Sequence, residues 1–502
     1  MITGNYFWQR RRSSNAGKKS VYIAAGLFVL LTAGIFAQGF GFGDDNESVS
    51  FNSGLPGNSV KISGEARAEL KGFFDDFPSA ETMQIGNIFS GKLNFSASGS
   101  SADAVINLKL SPVFNSAASP FSIDEAYARV FLGPVNIEGG LRKLSWGRAD
   151  SFGPLDVINP LDYSDLSALE NPQNIKIARP LLHLTWNLNY FTKLEAVFVP
   201  WFEGHSFAGQ GRWTPGQITS MPDLVTDYVA AMYYINTGGL LSLSDLQKSG
   251  IRNQMNEWIY SGAIKGFYPD TSALNYAQGG LRFSTSLGSS DLGFQYYFGR
   301  LPRPAVTFSA GPGFFSPPPY DHVETSEINI NINYNPYHHI GVDYAQVIAG
   351  FNIRAEAGAN ITSDLDGTDG TVYNPALLWS LGFDRNLFAG ISLNAQGSGS
   401  IRLFNDKTGS SSMLDTEAGK DMTSTRITLV LSKKFFMDEL EIKATGLWGI
   451  EDGDFLIMPG IYWNRDSVFA ELSAGFFGGW KKGELGQYSD NSYIKILLGC
   501  KF

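Results

Sequence analysis

From position 493 to 502 the chain alternates without a break. Ile494, Ile496, Leu498, Cys500 and Phe502 fall on one side of an extended strand, and Tyr493, Lys495, Leu497, Gly499 and Lys501 on the other, because successive strand side chains face opposite ways. One face is apolar to its last residue and the other carries lysines. Hydrocarbon on one side and water on the other is the environment of a bacterial outer-membrane β-barrel wall. In such a wall Phe502 is the terminus through which the barrel-assembly machinery would engage the last strand.

The opposite end is read as an export signal. Arg10, Arg11, Arg12, Lys18 and Lys19 precede a sixteen-residue apolar run over 21–36, short of the roughly 20 residues a spanning helix needs. This is the layout of a secretory signal peptide, so residues 1–37 are expected to be removed after Ala37. Residues 38–58 then form a periplasmic segment and 59–502 the barrel, with 201–275 as a long extracellular or plug-like insertion. An uncleaved inner-membrane anchor is the alternative. With no cysteine near the cut, a lipoprotein anchor is excluded.

After Ala37 no apolar stretch is long enough for a transmembrane helix. A chain in lipid must pair every backbone polar group internally, so the remaining solution is a closed barrel. A mean hydropathy of −0.08 and only 17% charged residues fit strands that are half in lipid and half in water. A secreted β-sandwich or solenoid is the competing class. The lone Cys500 excludes an intrachain disulfide.

Alternation recurs along the chain. Ile62, Gly64, Ala66, Ala68 and Leu70 oppose Ser63, Glu65, Arg67, Glu69 and Lys71, and Ile391, Leu393 and Ala395 oppose Ser392, Asn394 and Gln396. The clearest case runs over 327–334, where Ile328, Ile330, Ile332 and Tyr334 oppose Glu327, Asn329, Asn331 and Asn333. The polar faces read as the lining of a wet interior. Short turns are expected at 98–101, 133–134, 187–189, 288–290, 335–337, 384–386, 434–437 and 464–466. Long outer links are expected at 72–84, 111–120, 144–176, 201–275, 300–323, 361–374, 404–422, 451–454 and 478–491. The prediction is an all-β, transmembrane, antiparallel up-and-down barrel of about 18 strands, with 16 and 20 as the neighbouring counts. It takes 338–360 as one long strand with an irregularity near 346–350.

Aromatic groups at 190–191, 201–202, 296–298, 435–436 and 462–463 sit near predicted strand ends, where amphipathic rings suit the headgroup level. Within 201–275, Leu224, Tyr228 and Met232, flanked by Val225, Val229 and Tyr233, and then Ile251, Met255 and Ile259, recur at fours. Ser244 with Gln247 resembles a capping box. Two short helices are expected to cover or enter the mouth. The prolines of 302–319 read as a stiff rim.

The link after the fifth strand is rich in charge. Arg142, Arg148, Asp150, Asp156, Asp162 and Asp165 surround Trp146 and Tyr163, and inward-phased Arg67, Glu125, Arg129, Arg282, Arg354 and Glu356 line the wall. Opposed charges across a narrow aqueous gap would orient dipolar solutes and filter ions. Two other readings stay open: charges that only pair the link to the wall, and an exposed surface loop.

The same link carries Gly140-Leu141-Arg142-Lys143-Leu144-Ser145-Trp146-Gly147-Arg148 and then Asn159-Pro160-Leu161-Asp162, followed by Leu194-Glu195 and Pro200. This resembles a large group of proteobacterial outer-membrane barrels of unknown function, related in pattern to alginate-export porins. That group shows a glycine–arginine strand end, a Ser-Trp-Gly, and an Asn-Pro-x-Asp about a dozen residues on. The match covers 124–200 and departs from the group's glutamine after the arginine, where this chain has Lys143. What the resemblance implies is a pore-forming or export channel with this link folded inward.

Net charge is −10, and loss of 1–37, with five basic and no acidic residues, leaves −15. That sign disfavours nucleic acid. The acidic groups Asp364, Asp366 and Asp369, and Glu451, Asp452 and Asp454, lack the spacing of a calcium loop. His183, His205, His322, His338 and His339 form no catalytic motif. The reading is therefore a channel and not an enzyme: no cofactor, no catalytic residue, no metal. Its partners are outer-membrane lipid and small hydrophilic or amphiphilic solutes, and its oligomeric state is open. A surface adhesin or structural barrel that binds host or matrix through its outer links is the second reading. A hydrophobe importer would need an apolar path through the barrel.

Overall fold

The computed structural model describes residues 49–52, 59–76, 89–111, 120–236, 238–260, 268–310, 328–408, 416–417 and 420–502. The expected signal peptide and its cut at Ala37 lie outside these residues, as does His322. Among the described residues eighteen antiparallel strands form one closed ring. They are β1 (Ser59–Phe73), β2 (Phe89–Ser98), β3 (Ala102–Leu110), β4 (Phe121–Leu132), β5 (Val135–Arg142) and β6 (Arg179–Asn187). Next come β7 (Thr192–Val199), β8 (Gln278–Leu287), β9 (Ser290–Arg300), β10 (Pro336–Ile348), β11 (Phe351–Thr362) and β12 (Ala376–Asn386). The last are β13 (Ile391–Arg402), β14 (Thr423–Phe435), β15 (Leu440–Gly449), β16 (Asp454–Arg465), β17 (Val468–Gly479) and β18 (Tyr493–Lys501). Each pairs with its sequence neighbours, and β1 closes on β18 in a ladder from Glu65 opposite Lys501 to Phe73 opposite Tyr493. Val49–Asn52 adds a short strand to the free edge of β1, with Val49 opposite Ile62. No described helix is long and apolar enough to cross a membrane.

Outward positions carry Leu281, Phe294, Leu381, Leu429, Ile457 and Leu498, all exposed. Such a band would be a liability in water and is at home in lipid. The expected parity of β18 holds: Ile496, Leu498 and Phe502 are exposed, whereas Tyr493 and Leu497 are buried inside.

The count of eighteen holds although two strands were misassigned. The stretch expected to be a single strand over 338–360 is a hairpin, β10 and β11, in full register from Tyr337–Thr362 to Ile348–Phe351. Its two-residue turn has Ala349 at φ 52° and Gly350 at φ 80°, the doubly left-handed conformation that matches strand twist. Conversely, Ile328–Asn333 leaves the wall. It pairs with Ala305–Ala310 as a separate hairpin in the outer link 301–335, so the expected turn at 335–337 is not a barrel turn. Ile332 and Val306 of this hairpin pack with Val225, Val229, Tyr233, Ile251 and Met255. Losing one strand and splitting another restores parity. All eight short turns lie at one end and all nine longer links at the other.

The two expected helices exist, at Met221–Asn236 and Asp245–Tyr260. Ser244 and Gln247 form the reciprocal cap: Gln247 N donates to Ser244 Oγ at 3.3 Å and Ser244 N to Gln247 Oε1 at 2.9 Å. The buried face of the first helix is Val225, Val229 and Tyr233, and Leu224 points outward. The pair packs on the outer hairpin just described.

The wet-interior expectation fails over part of the lumen. Leu447, Leu456, Met458, Phe477 and Tyr493, on the inner faces of β15–β18, pack with Phe73, Trp213, Leu485 and Tyr488 and with Leu166, Leu169 and Ile175 of the link 143–178. On β16 both faces are apolar, Phe455 and Ile457 outside and Leu456 and Met458 inside. Each fully buried side chain of this kind is worth about 1.5–3 kcal/mol, so this sector of the lumen is a second core.

Candidate channel lumen and inward link

The link 143–178 leaves β5 at the outer end and descends inside the barrel. Its first residues seat Leu144, Trp146 and Ile158 against Leu181, Val197, Val199, Tyr297 and Tyr337 of the wall, with Trp146 edge-on to Tyr297 at 6.4 Å between ring centres. Asn159 ties the base together: its Oδ1 accepts from Leu144 N at 2.8 Å and its Nδ2 donates to Ile177 O at 2.8 Å. Gly147, at φ 90°, turns the chain where a Cβ would strike the Glu356 carboxylate.

The tip reaches nearly to the short-turn end. Arg148 Nε donates to Asp343 Oδ1 at 2.7 Å, and its NH1 contacts Asp291 at 3.1 Å, one residue into β9 beyond its start at Ser290. Glu356 receives the backbone N–H groups of Arg148, Ala149 (2.8 Å) and Leu155 (3.4 Å). Gln396 Oε1 accepts from Asp150 N at 3.0 Å and Ser151 N at 3.1 Å. Asp150 pairs with Arg354, which also holds Asp384 at 2.7 Å, and accepts from Asn394 Nδ2 at 2.7 Å. On the far side Asp165 meets Lys71 Nζ at 3.1 Å, and Glu170 meets Lys443 at 3.3 Å. Burial would raise the Asp165 carboxyl, but Lys71 and Ser167 hold it below the usual carboxylate range. The link thus spans the lumen from β9–β13 to β1 and β15.

Each residue singled out from sequence has a place. Arg142 pairs with Glu138 and lies 4.8 Å over the Tyr127 ring. Trp146 is buried in the link's apolar base, and Asp156 pairs with buried Lys176. Asp162 opens a two-residue parallel ladder with Ser206–Phe207, outside the tip. Arg67 pairs with Glu65 at 2.5 Å, and Glu125 accepts from Lys143 N at 2.9 Å and Asn107 Nδ2 at 3.1 Å. Glu125 shares the inner face with its neighbour Asp124 because β4 bulges opposite Asn107–Leu108. The structure therefore brings Arg148, Asp150, Arg354 and Glu356 together, and leaves Arg142, Asp156 and Asp162 at the base.

Sequence reasoning missed the groups that join these. A string of charged groups joined through one imidazole follows the wall: Asp103 to Arg129 (3.6 Å), Arg129 to Glu138 (2.5 Å), Glu138 to His183 (3.1 Å), and His183 to Glu195 (3.3 Å). It continues from Glu195 to Arg282 (4.0 Å), Arg282 to Asp343 (2.7 Å), and Asp343 to Arg148. Each wall member sits in the inward phase of its strand, which was the available signal. A cavity of about 160 Å³ lies between this string and the link, lined by Ser145, Trp146, Arg148, Lys193, Glu195 and Arg282.

The remaining histidines stay apart. His205 Nδ1 accepts from Leu161 N at 2.9 Å, and burial, with Arg303 nearby, pulls its pKa down to about 3. His338 bonds Tyr296 and His339 bonds Asn360. Among the described residues no three His, Cys, Asp or Glu side chains come together as metal ligands.

A closed antiparallel barrel of even strand number, apolar outside and polar or plugged inside, is the architecture of bacterial outer-membrane proteins. The chain is an outer-membrane β-barrel of this class. No family model and no curated protein matches it. Solved structures similar to it include the outer membrane channel DcaP of Acinetobacter baumannii, at 8% identity, TM-score 0.39, and coverage of 90% of this chain and 100% of that one. OmpF of Salmonella typhi in complex with daunomycin is similar at 7% identity, TM-score 0.41, and coverage of 90% and 100%. Wzi of Escherichia coli, a carbohydrate-binding β-barrel involved in group 1 capsule assembly, is similar at 10% identity, TM-score 0.43, and coverage of 88% of this chain and 84% of that one. The fold is read from the chain's own strand ladder, not from these likenesses.

Proposed function

We propose that the chain is an outer-membrane channel for small hydrophilic or amphiphilic solutes, with link 143–178 as its constriction. The observation that carries this is the unequal filling of the lumen. The link and its apolar contacts fill the lumen against β15–β18 and β6–β10. The inner faces of β1–β5 stay only partly covered and carry Arg67, Lys92, Asp103, Lys109 and Arg129. Solutes would pass along this charged wall by diffusion, without a cofactor or energy input, and the tip from Arg148 to Asp150 would set the bore. The resemblance of 124–200 to barrels related to alginate-export porins supports the same reading. The test is planar-bilayer recording of the purified protein: stepwise conductance is expected, and its absence removes the proposal.

One feature favours the second reading, an adhesin. The turn of the outer helical pair leaves Ile235, Leu240 and Leu246 exposed, the last two above 80%. A barrel that conducts nothing but binds a host or matrix ligand through this turn would fit that reading.

A further inference from the structure

Across β18, β1, β2 and β3 one row of directly opposed inward residues reads Lys501, Glu65, Lys92, Lys109. Lys92 and Lys109 are thus cross-strand neighbours of like charge. Directly opposed like charges destabilise a sheet, and nothing in the fold forces them together, since neighbouring inward pairs such as Asn94 and Asn107 are neutral. Their carboxylate partners lie on the outer sides of the pair and are shared. Glu65 serves Lys92 (3.4 Å) and also Arg67 (2.5 Å), while Asp124 serves Lys109 (2.7 Å) and also Lys143 (2.7 Å). Four cations therefore divide two carboxylates. The cations are also the more accessible groups: Lys92 and Lys109 side chains are 45% and 35% exposed, against 16% and 20% for Glu65 and Asp124.

We propose that Lys92 and Lys109 form an anion site in the lumen wall, one that takes a small oxyanion such as a carboxylate or phosphate. With one N–H of each ammonium directed at its carboxylate, two ammonium groups on neighbouring strands keep up to about four N–H donors for one charged group, and an anion between them would relieve their repulsion. With Glu65 and Asp124 set behind, this point of the wall presents cations to a passing solute, so the corridor would favour anions over cations there. The transport consequence rests on the channel reading. The site itself does not.

Two measurements separate them. In planar bilayers under a tenfold KCl gradient, the wild type should show a reversal potential of anion preference. K92Q/K109Q should reduce the chloride-to-potassium permeability ratio at least threefold, while K481A in an outer link leaves it unchanged. A ratio unaltered by K92Q/K109Q overturns the proposal. If neither protein conducts, the channel reading falls and the site is decided by thermal unfolding in detergent. Inorganic phosphate should then raise the midpoint of the wild type above that in chloride of equal ionic strength, and this rise should vanish in K92Q/K109Q. Equal midpoints in phosphate and chloride for the wild type would overturn the site.

Discussion

Arg148 Nε lies 2.7 Å from Oδ1 of Asp343, a carboxylate with no solvent exposure of its side chain. The two residues are 195 positions apart, and their contact fixes the tip of an otherwise irregular link against β10. Replacing Arg148 with alanine removes that anchor and the contact to Asp291 together. Arg282 remains on Asp343 at 2.7 Å, so the carboxylate keeps one partner. The cost should therefore sit at about 1–3 kcal/mol, below that of stripping a buried pair completely. Single-channel conductance should rise as the tip swings free, and the thermal midpoint in detergent should fall. An unchanged conductance would show that the tip does not set the bore.

Glu356 tests the same anchoring through the backbone of the link. It receives three N–H groups of the link, and a hydrogen bond to a charged group contributes a net of about 1.5–3 kcal/mol. E356A should loosen the tip more than R148A does. E356Q, which keeps one carbonyl acceptor, should fall between E356A and the wild type. Limited proteolysis between Gly147 and Leu155, added from the periplasmic side of oriented proteoliposomes, reads the order directly. Equal protection in all four proteins would refute this anchoring of the link.

The barrel was legible because its signal is repetitive. Period-two alternation and the asymmetry of short and long connections placed seven of the eight turns close to where they fall. The eighth failed at Val347 and Ile348, whose apolar side chains run straight into the Ala349–Gly350 turn and imitate a continuing strand. The alternation of Ile328, Ile330 and Ile332 misled for a related reason: this strand pairs in a hairpin outside the wall, where Ile332 packs on a helix pair instead of lipid. The inward fold of the link was expected, but its contacts were not. Arg148 and Asp343, or Asp150 and Asn394, meet across a closed ring, and no local pattern encodes which strand faces which across a lumen. The apolar sector of the interior was hidden because Leu456 and Met458 look, in sequence, like outward residues.

His205 predicts the acid behaviour of the link. Its folded pKa of about 3 lies below the usual 6.5 because burial, and then Arg303, disfavour the imidazolium, while Nδ1 is occupied as an acceptor from Leu161 N. The unfolded chain therefore takes up a proton that the folded one refuses, so this contribution to stability is intact above pH 6.5 and is lost as pH falls from there toward 3. The slope approaches about 1.4 kcal/mol per pH unit. H205Q, whose amide oxygen can still accept from Leu161, should flatten it. Unfolding midpoints measured at pH 7, 5.5 and 4.5 for both proteins give the comparison. Parallel curves would mean that the ring titrates normally in the folded state.

Phe502 closes the ring through its backbone as well as its side chain. Its N–H donates to Gly64 O at 3.0 Å, and Gly64 N donates to its carbonyl at 2.8 Å. A Cβ on Gly64 would lie 2.7 Å from the Phe502 ring, so the glycine makes room for the aromatic group over the seam. Deleting Phe502 removes both bonds, at about 1 kcal/mol each, together with an outward aromatic residue at the lipid interface. F502A keeps the backbone pair and loses only the ring. Refolding into detergent should therefore be impaired by the deletion and nearly normal for F502A. Assembly in cells should be reduced severalfold for both if the ring is what the barrel-assembly machinery reads. Normal cellular assembly of F502A, seen as a heat-modifiable band of wild-type intensity, would confine the residue's role to sealing β1 against β18.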